Sequence, residues 1–481
     1  MTGFGRDLPD RSEGDDGDPM GELFKAMFGP GGQLPPELAN MPGLPQDPAA
    51  LQAMFLQVQQ MLAGGSDGPV NWDLAENIAR QAAAEGGDPS VGDAQQRAVT
   101  EALRTADLWL DRATDLPAAA GRTHAWSRSE WVAQTLPVWK GVVEPVAERV
   151  GQAMGEAMSS QAPPEIAPML GAALPMMRRM GGAFFGAQVG QAVGALSREV
   201  VSGGDVGLPL LPAGAAALVP ANIAAFGEGL GLPEDEVRLY LALREAAHAR
   251  LFAGVPWLRA HILGAVDEYA RGIAIDTDMI EQAVRQIDPG DPQALQEALS
   301  SGIFEPERTP AQQAALDRLE IALALVEGWV DEVVDAAART SLPHAVQLRE
   351  TVRRRRAAGG PAEHTFASLV GLELRPRRLR EAAAVWAALT AARGVGGRDA
   401  LWEHPDLVPG AESFGDPEGF ARGSGSDAGG QDLDAALAAI LDEADRDEAG
   451  RDEAGPDEAG PDEAGPDEAG PDGERPGGEA R

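Results

Sequence analysis

The chain contains no cysteine. That excludes disulfides, thiolate nucleophiles and cysteine-held zinc or iron–sulfur centres, and it suits a reducing, cytoplasmic setting. Histidine is scarce: six residues, at 124, 248, 261, 344, 364 and 404. Any metal or acid–base chemistry must draw on that set and on carboxylates. Positive charge is short as well. Lys and Arg total 39 against 76 Asp and Glu, a formal charge of −37, which argues against nucleic acid or an anionic membrane as a general partner. No long apolar run is present. The first twenty residues are acidic and lack the apolar stretch of a secretory signal.

What is there divides the 481 residues into three parts. Residues 1–66 are rich in Gly, Pro and Met, with one short amphipathic piece at 48–62, and read as a flexible arm. Residues 406–481 turn to Gly, Asp, Glu and Pro, and DEAG recurs every five residues from Asp447. That period matches neither helix nor strand and buries nothing, so a disordered acidic tail is expected. Its charge is about −18, roughly half the total. A short apolar pattern, Leu433–Leu441, reads as a transient helix or a docking motif within it.

Residues 67–405 are Ala- and Leu-rich with long helical periodicities and few β-branched runs, so the body reads as mostly α. The pattern predicts helices over 71–85, 93–113, 127–159, 167–201, 213–229, 234–252, 257–271, 276–286, 291–299, 310–339, 345–357 and 377–392. Only short pieces such as 368–374 read as extended. Gly182, Gly186, Gly190 and Gly194 recur every four residues and let another backbone approach one helix closely. The charge-free run around them spans about 18 residues, contains Gln188 and Gln191, and is bounded by arginines. It reads as a buried helix of a domain, not a membrane span.

The only dense basic cluster is Arg353–Arg356 with Arg375, Arg377, Arg378 and Arg380. It reads as a solvated helix face or as an anion site, with the acidic tail as a candidate occupant. A basic partner protein is the other candidate for the tail. No aromatic stacking set accompanies the cluster, as a nucleic-acid groove would need. No phosphate-binding glycine loop is present either.

The chemistry centres on Leu243-Arg244-Glu245-Ala246-Ala247-His248, in a helix bounded by Pro233 and Pro256. Glu245 and His248 are three apart and share one helix face. In HExxH two histidines bind zinc and the glutamate activates the bound water. Here Arg244 stands first, and a guanidinium has no lone pair for a metal. No second ExxH exists to build a di-iron bundle.

Residues 244–273, REAAHARLFAGVPWLRAHILGAVDEYARGI, resemble the motif region of the zincin-like metallopeptidase family found mainly in actinobacteria. GFGR at Gly3–Arg6, GPVNWDLAENIARQ at Gly68–Gln81 and LVEGWVDEVVD at Leu325–Asp335 fit it too. So do Phe366–Ala383 and Leu401–Pro409. The resemblance implies a zincin-like helical domain, a zinc-dependent metalloprotease or related hydrolase activity, and for some members an association with coenzyme F420 biosynthesis. It implies Glu245 as general base and His248 and Glu327 as zinc ligands, with a peptide or protein as substrate.

The first histidine has no counterpart. His261, on the next helix, is the best replacement ligand, with Asp267 and Glu268 further along. Glu327 also interrupts an apolar stripe, and a buried carboxylate is costly unless paired or metal-bound. Arg244 offers the pairing, with Glu327 or with Glu245. Two functions stay open: a zinc hydrolase completed by a replacement ligand, or a non-catalytic scaffold that binds a partner, with Arg244 closing the old site.

Overall fold

The computed structural model describes residues 68–161, 167–272, 309–357 and 378–423. Ten helices and two short strands carry the argument. They are α1 (Trp72–Ala84), α2 (Asp93–Leu110), β1 (Thr123–Ala125), α3 (Arg128–Gln161), α4 (Ala167–Ser197) and β2 (Ala216–Leu218). After them come α5 (Pro220–Gly227), α6 (Glu234–Gly254), α7 (Pro256–Arg271), α8 (Pro310–Ala338), α9 (Ala345–Ala357) and α10 (Leu379–Asp399). The fold is mostly helical, as the periodicity predicts. The chain divides into two units, Met1–Ala421 and Arg422–Arg481, and every element above belongs to the first.

Local chemistry sets the helix ends. The Asn71 side chain accepts from the Leu74 N–H at 3.1 Å and caps α1. Thr309 and Gln312 exchange side chain-to-backbone bonds of 2.9 and 3.2 Å around Pro310, a capping box with proline at the first helical position of α8. Three acids, Glu234, Asp235 and Glu236, fill the first turn of α6, where the helix dipole favours them.

The glycine ladder does what its spacing implies. α4 lies along α1, and a Cβ added at Gly190 would sit 2.7 Å from the Ala75 carbonyl oxygen. Only hydrogen at that position allows the two backbones to approach so closely. Among the described residues no helix is long and apolar enough to cross a membrane.

Two departures from the periodicity matter for the site. The helix expected over 213–229 begins only at Pro220; ahead of it Ala216–Leu218 forms β2, parallel to β1 with Thr123 opposite Ala216. Ala-rich composition mimicked a helix where pairing with a distant segment decided the conformation. Ordered turns at Pro405–Leu407 and Ala411–Phe414, the latter with Phe414 buried, continue past residue 405, where the composition changes. The helices expected over 276–286 and 291–299, the extended piece at 368–374 and the tail motif at 433–441 lie outside the described residues.

α6 is the axis of the domain. Every residue from Tyr240 to Leu251 is buried, including Arg244, Glu245, His248 and Arg250. A helix covered on all sides has no polar face to spare, so each of those four needs a partner inside the protein. Arg250 illustrates it, donating to Asp107 at 3.0 Å, to Asp111 at 2.7 Å and to the carbonyls of Leu116 and Asp107. α8 packs beside α6 and is buried along much of its length.

Candidate functional site

Two buried carboxylates stand at the motif, Glu245 within it and Glu327 on α8. Glu245, on α6, is 1% exposed and accepts two backbone N–H bonds, from Gly204 at 2.7 Å and from Ala217 in β2 at 2.9 Å. It therefore ties α6 to both the 202–205 loop and the strand. Burial pushes its carboxyl above the ordinary value; the Ala217 N–H and the nearby His248 oppose that without cancelling it. A Cβ at Gly204 would stand 2.9 Å from Glu245 Oε2 and 3.1 Å from His248 Cβ, so the loop can close over the motif only with glycine there.

Glu327, on α8, is held by cations. Arg244 Nη2 donates to Oε2 at 2.7 Å. Arg356 Nη1, from α9, lies 2.8 Å from Oε1, and His248 Nε2 lies 3.1 Å from the same oxygen. Burial alone would raise the Glu327 carboxyl, but Arg356, His248 and Arg244 together hold it far below the usual range. The cluster extends along both helices. Glu327, Asp331 and Asp335 recur every four residues on α8, and Arg349, Arg353 and Arg356 face them from α9. Arg349 and Arg353 each reach Asp331 at 2.6 Å, and Arg349 reaches Asp335 at 3.1 Å. Asp205 accepts from Arg355 at 3.2 Å and from the Val201 N–H at 3.0 Å, and its carboxyl is lowered although burial opposes it.

His248 has a defined environment. Its Nδ1 is 2.9 Å from the Arg244 carbonyl oxygen, one turn back on the same helix. Its Nε2 faces Glu327 Oε1. Both partners are oxygens, and the tautomer decides which ring nitrogen donates.

The structure thus brings Arg244, His248 and Glu327 into one cluster, with Glu245 on the same stretch of α6. It does not bring His261 there. That ring is exposed on α7, edge-on to Trp257 with centroids 5.6 Å apart, and what burial it has lowers its pKa. Asp267 pairs with Arg271 at 2.6 Å and Glu268 with Arg318, both near the surface. Among the described residues no group of three His, Asp or Glu is placed to hold a metal ion.

The family model described as zincin-like metallopeptidase matches residues 70–421. This chain belongs to that family. A crystal structure from Chloroflexus aurantiacus, titled a "putative hydrolase with a novel fold", superposes with a TM-score of 0.53 at 21% identity. The match covers 73% of this chain and 97% of that one, and it shows a shared fold. No curated relative matches.

Does the zincin-like site suit zinc in this chain? Catalytic zinc takes three protein ligands and a water. His248 and Glu327 are the two that coincide. Both oxygens of Glu327 already carry guanidinium contacts, and the residue in the first motif position is a cation that cannot ligate. The donor set does not fit the metal.

Sequence reasoning missed Asp205, Arg356 as a partner of Glu327, and the Gly204 and Ala217 N–H groups. The acids at 327, 331 and 335 and the arginines at 349, 353 and 356 were a readable signal, matching stripes of helical spacing. The backbone donors left no signal beyond the paired glycines at 203 and 204.

Proposed function

We propose that this zincin-like chain works by binding and not by zinc-dependent hydrolysis, its metal position taken over by an ion-pair cluster. The observation that carries the reading is the 2.7 Å contact between Arg244 Nη2 and Glu327 Oε2, reinforced by Arg356 at 2.8 Å. A divalent cation placed among those groups would lie beside two guanidiniums and compete for a carboxylate they already neutralise. The binding surface is the small cleft where Leu208, Leu211 and Phe252 stand with Glu245 and His248. Its apolar walls and few polar groups suit a peptide or protein segment.

One observation favours the other reading, a metal-assisted hydrolase. A histidine whose Nδ1 lies 2.9 Å from a carbonyl oxygen and whose Nε2 points at a carboxylate 3.1 Å away has the orientation of a metal ligand. Glu245, buried and with a raised pKa, has the character of a general base. The two readings differ in what lies between Nε2 and Glu327.

Elemental mass spectrometry of the untagged full chain decides. The expected zinc content is below about 0.1 per chain, because catalytic zinc needs three ligands. Arg244→His, which supplies the third, is expected to raise it. About one zinc per wild-type chain, lost in His248→Ala, would restore the hydrolase.

A further inference from the structure

The arginines of α9 were expected to lie on a solvated face, with an anion site as the alternative. They turn inward. Arg244, Arg353, Arg356 and Arg380 line a pocket together with Glu327 and Asp331. Four guanidiniums there face two carboxylates. The nearest partners do not restore balance: Arg349 and Arg355 stand against Asp205 and Asp335, so six arginines meet four acids. In a chain of net charge −37, the described residues around this pocket carry a local excess of two positive charges.

Three features point to a missing counter-anion. Arg356 Nε is buried and has no acceptor among the described residues. Buried N–H donors are rarely left so, because a lost acceptor costs their full desolvation. Arg380 is exposed and has no ion-pair partner among the described residues, so its guanidinium is free to turn to a ligand. The crowding also shows in Arg356 itself. Burial lowers its pKa, Glu327 opposes this, and the neighbouring Arg244 and Arg355 push it down further.

We infer that this cavity is a binding site for a small doubly charged oxyanion, a phosphate or dicarboxylate, held by Arg353, Arg356 and Arg380. The planar fork of arginine presents paired N–H donors that match either oxyanion. Arg244 and Glu327 line this cavity too, so the site rests on the reading of those two as an ion pair; zinc content tests that reading and anion titration tests this one.

The test is calorimetric titration of the full chain with inorganic phosphate and, separately, with succinate, each against sodium chloride at equal ionic strength. Saturable one-to-one binding of at least one is expected, and the one that binds assigns the chemistry. Arg380→Gln should weaken it by about tenfold, the loss of one charge-assisted contact. Arg353→Gln should do the same, and if it fails to fold, Arg380→Gln still decides, since that side chain supports no described contact. No saturable binding of either anion would overturn the proposal. So would binding that is unchanged in Arg380→Gln, or an effect reproduced by chloride.

Discussion

Glu245 on α6 and Glu327 on the neighbouring α8 are both buried carboxylates, yet they are held in opposite ways. Glu245 is satisfied by neutral backbone donors, and its pKa rises; Glu327 is satisfied by two guanidiniums and an imidazole, and its pKa falls. N–H dipoles fix the position of a carboxylate without repaying the cost of burying its charge. Cations repay that cost, and in doing so they fill the space a metal would need. The contrast therefore separates a group kept available for a proton from one locked as an anion.

The largest test is at Glu327. Among the described residues, Glu327→Gln removes the one carboxylate at hydrogen-bond distance from Arg244 and leaves Arg356 with Asp205. Urea unfolding should show a loss of about 3–5 kcal/mol, the range for stranding buried charge. A loss below about 1 kcal/mol would mean that the cluster is solvated and the comparison empty.

Arg244→Met comes next. Glu327 keeps Arg356 and His248, so the expected cost is about 1–3 kcal/mol, below that at Glu327. Combining the two substitutions should cost less than their sum, since each removes the same contact. Strict additivity would show that the 2.7 Å pair contributes no coupling.

Glu245→Gln should be milder still. Glutamine keeps one acceptor for Gly204 or Ala217 and turns an amide toward the other N–H, a penalty of about 1–3 kcal/mol. Removing a charge that burial disfavours offsets part of it. A net loss under about 2 kcal/mol is the expected midpoint shift. If Glu245→Gln destabilised more than Glu327→Gln, the assignment of the two environments would be reversed.

How far the sequence foretold this depends on whether the cause was local. Helix ends at Asn71, Thr309 and Pro256 were legible because capping and proline act within a few residues. The pairing of Arg244 with Glu327 was legible in outline, because a carboxylate on an apolar stripe demands a partner and a cation stood in the motif. Which carboxylate Arg244 would choose was not, because 83 residues separate the pair and only packing of α6 on α8 brings them together. β2 was hidden for the same reason. Its alanines carry no strand signal of their own, and Ala217 becomes a donor to Glu245 only once β1 and the loop at Gly203 are in place. The inward turn of Arg353 and Arg356 is invisible in the charge run itself, because the acids that draw it in lie on α8.

The smallest effect is the sharpest discriminator, since pH moves the two carboxylates in opposite directions. Glu327 has a folded pKa below its unfolded value near 4.5, so its stabilisation is fully present above about pH 4.5 and drains away as pH falls below that. Glu245 has a folded pKa above 4.5, so the fold is favoured while it stays protonated and loses that margin as pH rises from 4.5 through the folded pKa. Unfolding midpoints measured across this range should therefore show Glu327→Gln with a shallower acid limb than wild type. Glu245→Gln should instead flatten the limb above pH 4.5 and leave the acid limb alone. Were both variants to alter the same limb, the two carboxylates would share one environment, and the distinction between a fixed anion and a held proton site would fail.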